Sequence, residues 1–264
     1  MRKKAFTLVE VLVVVSVTSL LVAVLMPVLG RARQQGKAVL CLSNLHQMTV
    51  AAQLYAANND EHYPIAYANV RLDSARLTSM ECCWDFATTK DWSTVPPAVK
   101  VEPGLLWRGS GFMEIQQCPG FRGPSNTSND PYTGYNYNTS YIGRGAGESI
   151  KRPARTTEVK RPSQTALFGD GQVDLDNNGE AEANKYMRAP FYDAEDAQQG
   201  DAQFSARYAG TQGYRHLGQT NVAFCDGHAR SWSHCYKNTD PENADKIAEG
   251  TGFLSPDNSI YDLK

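Results

Sequence analysis

His216 and a short segment downstream of it have the residue types needed for nucleophilic chemistry. Nine residues separate His216 from Asp226 and Gly227, and Cys225 immediately precedes the aspartate. A histidine base, an orienting aspartate and a cysteine nucleophile would together make a hydrolase site. Asp-Gly is also a strong signal for a two-residue hairpin turn, because both turn positions need positive φ. Since that turn already accounts for Asp226, we expect no enzyme, and we expect His216 to be a structural hydrogen-bond donor.

A second stretch places acidic and amide side chains at alternate positions: Asp174, Asp176, Asn178 and Glu180. Alternation directs successive oxygens to one centre, and Gly179 permits a sharp turn, as in the first half of a calcium loop. The twelfth position, where a bidentate glutamate belongs, holds Lys185. A complete calcium site would borrow an acid from elsewhere: Asp170, Asp193, Glu195 or Asp196. A solvated acidic loop is the alternative, and the sequence leaves both open.

Six cysteines could form metal sites or disulfides: Cys41, Cys82, Cys83, Cys118, Cys225 and Cys235. No CxxC or HxxxC spacing occurs among them, so the spacing does not indicate a zinc site. Disulfides become the natural interpretation if the body lies outside the cytoplasm. We predict a long-range Cys41–Cys118 pair. Cys225 and Cys235 are further candidates, but not with each other, since a continuous strand would hold them too far apart.

The N-terminal stretch combines a basic start with a nearly unbroken apolar run. Arg2, Lys3 and Lys4 precede Ala5, and Glu10 is the only acid before Leu25. Roughly 20 apolar residues suffice for a helix to cross the hydrocarbon core of a bilayer. An acid there costs on the order of 2.5–3.5 kcal/mol and, when retained, usually has a partner. A removable signal peptide is the alternative, but no A-x-A cleavage site follows the apolar run.

The helical pattern continues beyond the apolar run. Apolar residues recur at three-to-four spacing and form one stripe: Ala38, Leu42, Leu45, Met48, Ala52 and Tyr55. Pro27 removes a backbone donor and predicts a kink. Asn58 and Asn59, followed by Asp60, predict the end of the helix. We therefore expect one helix over residues 6–57, membrane-spanning in its first half and amphipathic in its second.

The remainder, residues 58–264, is predicted to be a loop-rich body that contains β-structure. It has two clear β units, a short central strand at 165–168 and a hairpin around Asp226–Gly227 in which Phe224 faces Ala229. Residues 132–141 alternate tyrosine with small polar residues, which favours a strand over a surface for sugar stacking. The fold class is thus α+β, with a long helix packed on an antiparallel β-sheet head.

The N-terminal residues resemble the prepilin segment of type IV pilins and type II secretion pseudopilins. The resemblance lies in the short basic leader, residues 1–5, and in the run from Phe6 to Glu10. It implies that a prepilin peptidase cuts between Ala5 and Phe6 and methylates the new amine. It also implies that Glu10 pairs with the Phe6 amine of a neighbouring subunit. Pro27 falls where pilin helices commonly carry a proline.

His216 with Asp226 and Gly227 is similar to the C-terminal motif of a pilin-like subgroup named for its H-x9-DG pattern. Cys41 and the seven residues after it are similar to the same subgroup. The resemblance implies a structural subunit of a pseudopilus or pilus-like filament. Its partners would be prepilin peptidase, other pilin or pseudopilin subunits, and inner-membrane lipids. The protein would cross the inner membrane once, with the N-terminus cytoplasmic and the head periplasmic.

Charge and composition restrict the remaining function classes. A net charge of −2 and a pI near 6.2 argue against a general nucleic-acid binder. A monomeric membrane-anchored module that binds a glycan or a protein is the alternative function. Calcium is the one candidate cofactor, and no other is expected.

Overall fold

The architecture is taken from a computed structural model. It describes residues 7–72, 77–108, 113–124, 130–145, 148, 150–174, 179–191, 210–237 and 247–264. A long helix, α1, spans Leu8–Ala57. At its start, the Glu10 amide donates to Oγ1 of Thr7 at 3.3 Å, and the Thr7 amide donates to the Glu10 carboxylate at 2.8 Å. This reciprocal capping box fixes the helix N-terminus, and Asn58 caps the other end. The predicted helix is confirmed from Leu8 onward, whereas Phe6 lies outside the described residues.

The first half of α1 is exposed along its whole length. Residues 8–30 are all exposed, and Glu10 is the only charged residue among them. An 18-residue window of this half is long and apolar enough to cross a membrane, and none of it is buried. Valine-rich segments favour strands in water. In lipid, however, a helix satisfies every backbone polar group within the segment. This half therefore has the properties of a membrane anchor.

The second half of α1 packs on the head through one face. Seven residues of this face are buried: Cys41, Asn44, Leu45, Met48, Thr49, Ala52 and Ala56. Leu45, Met48 and Ala52 belong to the stripe predicted from the sequence. The other predicted members, Ala38, Leu42 and Tyr55, are half-buried. The buried face is thus rotated slightly from the predicted stripe, towards Cys41 and Asn44.

The described part of the head contains eleven strands. Their bounds are β1 Tyr67–Arg71, β2 Thr78–Cys83, β3 Phe86–Asp91, β4 Ala98–Pro103, β5 Tyr135–Asn138, β6 Ala166–Asp170, β7 Tyr186–Met187, β8 Gln212–Gly213, β9 Thr220–Phe224, β10 Ala229–Trp232 and β11 Thr251–Gly252. One sheet is an antiparallel meander of β1 to β4. A second sheet has the order β10-β9-β6-β5-β7, and β8 pairs with β11. All pairings are antiparallel except the short one between β5 and β7. The predicted α+β class with an antiparallel head is confirmed.

The five-stranded sheet carries the core against which α1 packs. The predicted central strand is confirmed as β6, which has a neighbour on each side and is buried at every residue. Trp84 packs on Phe168 and Tyr137 with ring centroids 5.3 and 5.7 Å apart. Tyr135 and Tyr137 are 3% and 0% exposed. The tyrosine-rich stretch therefore contributes to the core, as the strand interpretation predicts.

The hairpin between β9 and β10 forms, but its register differs by one residue from the prediction. Ala229 pairs with Ala223, and the Phe224 amide donates to the carbonyl of His228 at 2.9 Å. Phe224 therefore faces His228 instead of Ala229. The loop is three residues long, and Gly227 alone has positive φ, at 101°. A three-residue hairpin loop ending in a left-handed glycine is the next common type after the two-residue turn. Because side chains alternate along a strand, this shift places each side chain of β10 on the opposite face of the hairpin from the predicted one.

Candidate functional site

Four polar side chains from distant parts of the chain meet inside the head. Cys41 comes from α1, Cys118 from the loop after the 3-10 helix Met113–Gln116, Asp170 from the end of β6, and His216 from the turn between β8 and β9. Their exposed fractions are 0%, 0%, 0% and 1%. We call these four residues the buried quartet. Each residue offers one possible ligand atom, and these four atoms all lie within 4.8 Å of one another.

The distances within the buried quartet centre on the carboxylate. Oδ1 of Asp170 lies 3.2 Å from Sγ of Cys41 and 3.4 Å from Sγ of Cys118. Oδ2 of the same carboxylate lies 3.3 Å from Nε2 of His216. Nε2 of His216 is also 3.6 Å from Sγ of Cys118. One imidazole nitrogen thus faces both a thiol and the carboxylate.

The backbone around the buried quartet fixes its members. His216 precedes a tight turn in which Leu217 and Gly218 both have positive φ, at 55° and 79°. Amide–carbonyl bonds of 2.9 and 3.1 Å between His216 and Gln219 close this turn. The type of turn predicted at Asp226–Gly227 therefore occurs at residues 217–218. A Cβ on Gly120 would lie 2.8 Å from Cε1 of His216, so that glycine leaves room for the ring.

Asp170 is held in place by two neighbours. The Asn221 amide donates to its Oδ2 at 2.7 Å, and the Nδ2 of Asn221 donates to the Ala38 carbonyl at 3.1 Å. Nη2 of Arg215 lies 4.0 Å from Oδ1. That guanidinium also donates to the carbonyls of Gly134 and Gly171, at 3.1 and 2.8 Å. Asn221 therefore connects the carboxylate to the helix, and Arg215 supplies a positive charge beside it.

Burial and charge act in opposite directions on the titration of these groups. Burial alone would raise the pKa of Asp170, but the hydrogen bond from His216 and the charges of Arg215 and His216 hold that pKa below its usual value. Burial would lower the pKa of His216, but its bonds to Asp170 and Cys118 raise it to about 9. Burial would raise the pKa of Cys118, but a hydrogen bond from Cys41, the Arg215 charge and His216 bring it to about 6. The surroundings thus favour a carboxylate and a thiolate.

The structure does not assemble the triad that the residue types alone suggest. His216 contacts Asp170, whereas Oδ1 of Asp226 lies 2.6 Å from Nδ1 of His228. Burial raises the pKa of the Cys225 thiol to about 12. The partner of His216 was therefore not predicted. The sequence signal that could have identified this partner is Asp170 at the end of a buried central strand, because a buried carboxylate needs a partner.

The H-x9-DG hairpin instead anchors α1. Nδ1 of His46 lies 2.7 Å from the Gly227 carbonyl, and Nε2 of Gln53 donates to the Cys225 carbonyl at 3.1 Å. A Cβ on Gly227 would meet Nε2 of Gln53 at 3.7 Å, and its φ of 101° is unfavourable for other residues. His46 is exposed on the flank of α1, and this contact joins it to the turn.

All six cysteines are free thiols in the structure. The predicted Cys41–Cys118 pair is brought into the same buried cluster, but it is not joined. Cys225 is buried and Cys235 is exposed. The disulfides therefore stay a prediction.

The acidic loop is described only in part. Oδ2 of Asp174 accepts from the Gly179 amide at 3.0 Å and from the Ala248 amide at 2.9 Å, and Glu180 is exposed. Asp176 and Asn178 lie outside the described residues, as do the candidate additional ligands Asp193, Glu195 and Asp196. Asp170, the remaining candidate, belongs to the buried quartet. The calcium site stays a prediction.

The N-terminal site consists of the start of α1. The Glu10 carboxylate accepts from both the amide and the hydroxyl of Thr7 at 2.8 Å. Pro27 lies inside the helix. Ala5 and Phe6, the predicted cleavage residues, lie outside the described residues. Within one chain, Glu10 therefore has a local partner, Thr7.

Comparison with known proteins supports this reading of the N-terminus. Residues 1–26 match a family model described as the prokaryotic N-terminal methylation motif. No curated protein and no solved structure matches the chain. The matched segment ends before Cys41 and the H-x9-DG residues, so the resemblance to that subgroup stays a prediction. The methylation motif at the start of a long apolar helix, packed on antiparallel sheets, gives the chain a prepilin-type N-terminus and supports the pilin-like interpretation.

Proposed function

We propose that the protein is a structural subunit, without enzymatic activity, of a type II secretion pseudopilus or a type IV pilus-like filament. The observation that carries the proposal is the first half of α1. It follows a methylation motif, is exposed from residue 8 to residue 30, and has one charged residue in that range. A helix with this surface needs either lipid or other apolar helices around it. A prepilin-type subunit has both in turn, first the inner membrane and then the filament.

The second half of α1 supports helix-to-helix packing outside the membrane. Val39, Val50 and Leu54 are 66%, 50% and 64% exposed. Spacings of eleven and four residues place them on the same face of a helix. This face points away from the buried one, so a second copy can pack there while the head remains attached. The apolar surface for assembly thus extends about as far as the end of the helix.

Glu10 has a separate role in this proposal. Its charge pairs with the methylated amine of Phe6 in an adjacent subunit, which compensates for an acid in an apolar setting. Prepilin peptidase and other pilin or pseudopilin subunits are the partners. The N-terminus lies in the cytoplasm before cleavage, and the head lies in the periplasm. Of the tyrosines at residues 132–141, Tyr135 and Tyr137 lie in the core, and Tyr132 and Tyr141 are half-buried, so residues 135–137 provide no exposed aromatic platform for the glycan-binding alternative.

The test separates intersubunit pairing from helix capping. Glu10→Gln keeps a side chain that can accept the Thr7 hydrogen bonds but removes the charge. Thr7→Ala does the reverse, since it removes the capping hydroxyl and keeps the charge. We expect Glu10→Gln to reach the membrane in normal amount and to reduce sedimentable filaments by at least about tenfold, in line with the loss of a buried charge pair. We expect Thr7→Ala to assemble.

Both variants are measured by immunoblotting of membrane fractions and of filaments sheared from cells. If Glu10→Gln assembled normally, the proposed pairing would be wrong. If Thr7→Ala failed as completely as Glu10→Gln, capping and not charge would explain the role of Glu10.

A further inference from the structure

The buried quartet has the composition of a metal site, although its spacing in the sequence gave no such indication. Two sulfurs, one imidazole nitrogen and one carboxylate oxygen are the ligand types that zinc takes in four-coordinate structural sites. All four residues are almost completely buried. Such a closed set of four protein ligands leaves no position for water or substrate. We propose that the buried quartet binds one zinc ion that holds α1 to the head.

Three of the distances match edges of a tetrahedron around zinc. Zinc lies about 2.3 Å from sulfur and about 2.0–2.1 Å from nitrogen or oxygen. Tetrahedral angles then separate sulfur from nitrogen or oxygen by about 3.5 Å. The corresponding distances are 3.6 Å from Sγ of Cys118 to Nε2 of His216, and 3.4 and 3.2 Å from Oδ1 of Asp170 to the sulfurs of Cys118 and Cys41. Nε2 of His216 lies 3.3 Å from the other carboxylate oxygen, Oδ2, so this distance is not an edge of the same tetrahedron.

A hydrogen-bonded ion pair alone explains the geometry less well. Charge-assisted hydrogen bonds between nitrogen and a carboxylate are about 2.7–2.9 Å long. His228 and Asp226 in this protein are 2.6 Å apart, whereas His216 and Asp170 are 3.3 Å apart. The longer separation occurs at the more buried of the two pairs, where a direct hydrogen bond would be strongest.

The charges also balance when zinc is included. Two thiolates and a carboxylate carry three negative charges, and zinc leaves one of them uncompensated. The Arg215 guanidinium lies 4.0 Å from Asp170, and its Nε and Nη1 are buried without hydrogen-bond partners in the described part of the chain. Its charge brings the sum to zero, which a buried site requires.

The proposed ion connects elements that are far apart in the sequence. Cys41 lies on α1, and the other three ligands lie in the head, from residue 118 to residue 216. The site is therefore incompatible with a Cys41–Cys118 disulfide, because oxidised sulfurs cannot bind zinc as thiolates. The proposal does not depend on filament assembly.

Cobalt substitution in the full-length protein tests the proposal. The chain is purified in detergent without oxygen, stripped with a chelator and titrated with Co²⁺. We expect one cobalt per chain, a thiolate-to-cobalt charge-transfer band and the intense visible bands of tetrahedral cobalt, all removed by an equivalent of Zn²⁺. Cys118→Ser should weaken binding at least about 100-fold, more than loss of an outer-shell partner does. The exposed-cysteine control Cys235→Ser should leave it unchanged.

A second variant distinguishes the loss of a metal ligand from misfolding of Cys118→Ser. His216→Cys keeps four ligands, so it should still bind one cobalt, with a stronger charge-transfer band from a third thiolate. Circular dichroism establishes that each variant is folded. An unmodified protein without tetrahedral cobalt bands would overturn the proposal. So would full binding by Cys118→Ser, or a Cys41–Cys118 disulfide in protein isolated with its thiols blocked at lysis.

Discussion

Lys185 is a buried cation held between two carboxylates. Its Nζ lies 3.1 Å from Asp85 and 2.6 Å from Asp130, and all three side chains are at most 6% exposed. Burial would lower the pKa of Lys185, but the charges of Asp85 and Asp130 outweigh it and keep the ammonium charged. Asp85 lies between β2 and β3, and Lys185 directly precedes β7. The triad thus connects the two main sheets.

Replacing Lys185 should strongly destabilise the head. Lys185→Met leaves two buried carboxylates without their cation, and removing one partner of a buried pair costs about 3–5 kcal/mol. Lys90→Met is the matched control, because Lys90 and Glu81 form a half-exposed pair at 3.5 Å. Such pairs contribute about 0–1 kcal/mol. Urea unfolding in detergent, followed by the fluorescence of buried Trp84 and Trp107, measures the free energy of unfolding of both variants. Equal losses in the two variants would contradict the role of Lys185 as the cation of a buried ion pair.

At the residue scale, sequence reasoning identified the right residues but not their partners. Cys41, Cys118 and His216 were all candidates, and the predicted Cys41–Cys118 disulfide stays a prediction although both thiols lie in the buried quartet. Asp226 was rightly assigned to a turn. The partner of His216 could not be found, because Asp170 is 46 positions away in the sequence and only the pairing of β6 with β9 brings them together. Long-range contacts of this kind leave no local pattern.

At the scale of elements, α1 is one helix in two environments. Residues 8–30 are exposed, whereas Leu45, Met48 and Ala52 are completely buried in the head. The same spacing that lets one face pack leaves Val50 and Leu54 exposed on another. The helix therefore serves as anchor, as core element and, in our proposal, as the assembly surface.

Two leucines nine residues apart test this division. Leu45 is 0% exposed, and Leu54 is 64% exposed. We expect Leu45→Ala to reduce the free energy of unfolding by about 2–5 kcal/mol, because it removes buried methylenes and leaves a cavity. Leu54→Ala should change it by less than about 0.5 kcal/mol. The urea titration described for Lys185 provides the measurement. A comparable loss for Leu54→Ala would show that its face is already packed in the single subunit.

The elements were more predictable than their pairing. Helix α1 follows from caps and apolar spacing, and β6 from a short apolar run, because both signals are local. The register of the β9–β10 hairpin was wrong by one residue, since Asp-Gly fits both two-residue and three-residue loops. The four-stranded meander of β1 to β4 was covered only by the general prediction of a loop-rich body that contains β-structure. Its residues have no clear alternation, so the pairing arises from contacts between strands.

At the scale of the whole molecule, the chain divides into a membrane segment and a packed head. The head buries one face of α1, and the methylation motif begins the part of the helix that the head leaves exposed. Membrane anchoring follows from this arrangement. The orientation in the membrane, the assembly into a filament and the partner subunits are part of the proposed function.

The N-terminus of the mature protein tests the central claim most directly. The protein is isolated from its native cell envelope and its N-terminal peptide is analysed by mass spectrometry. Cleavage between Ala5 and Phe6 by prepilin peptidase predicts a chain that begins with N-methylated Phe6. A chain that still begins at Met1, or one cut after the apolar run, would contradict the account.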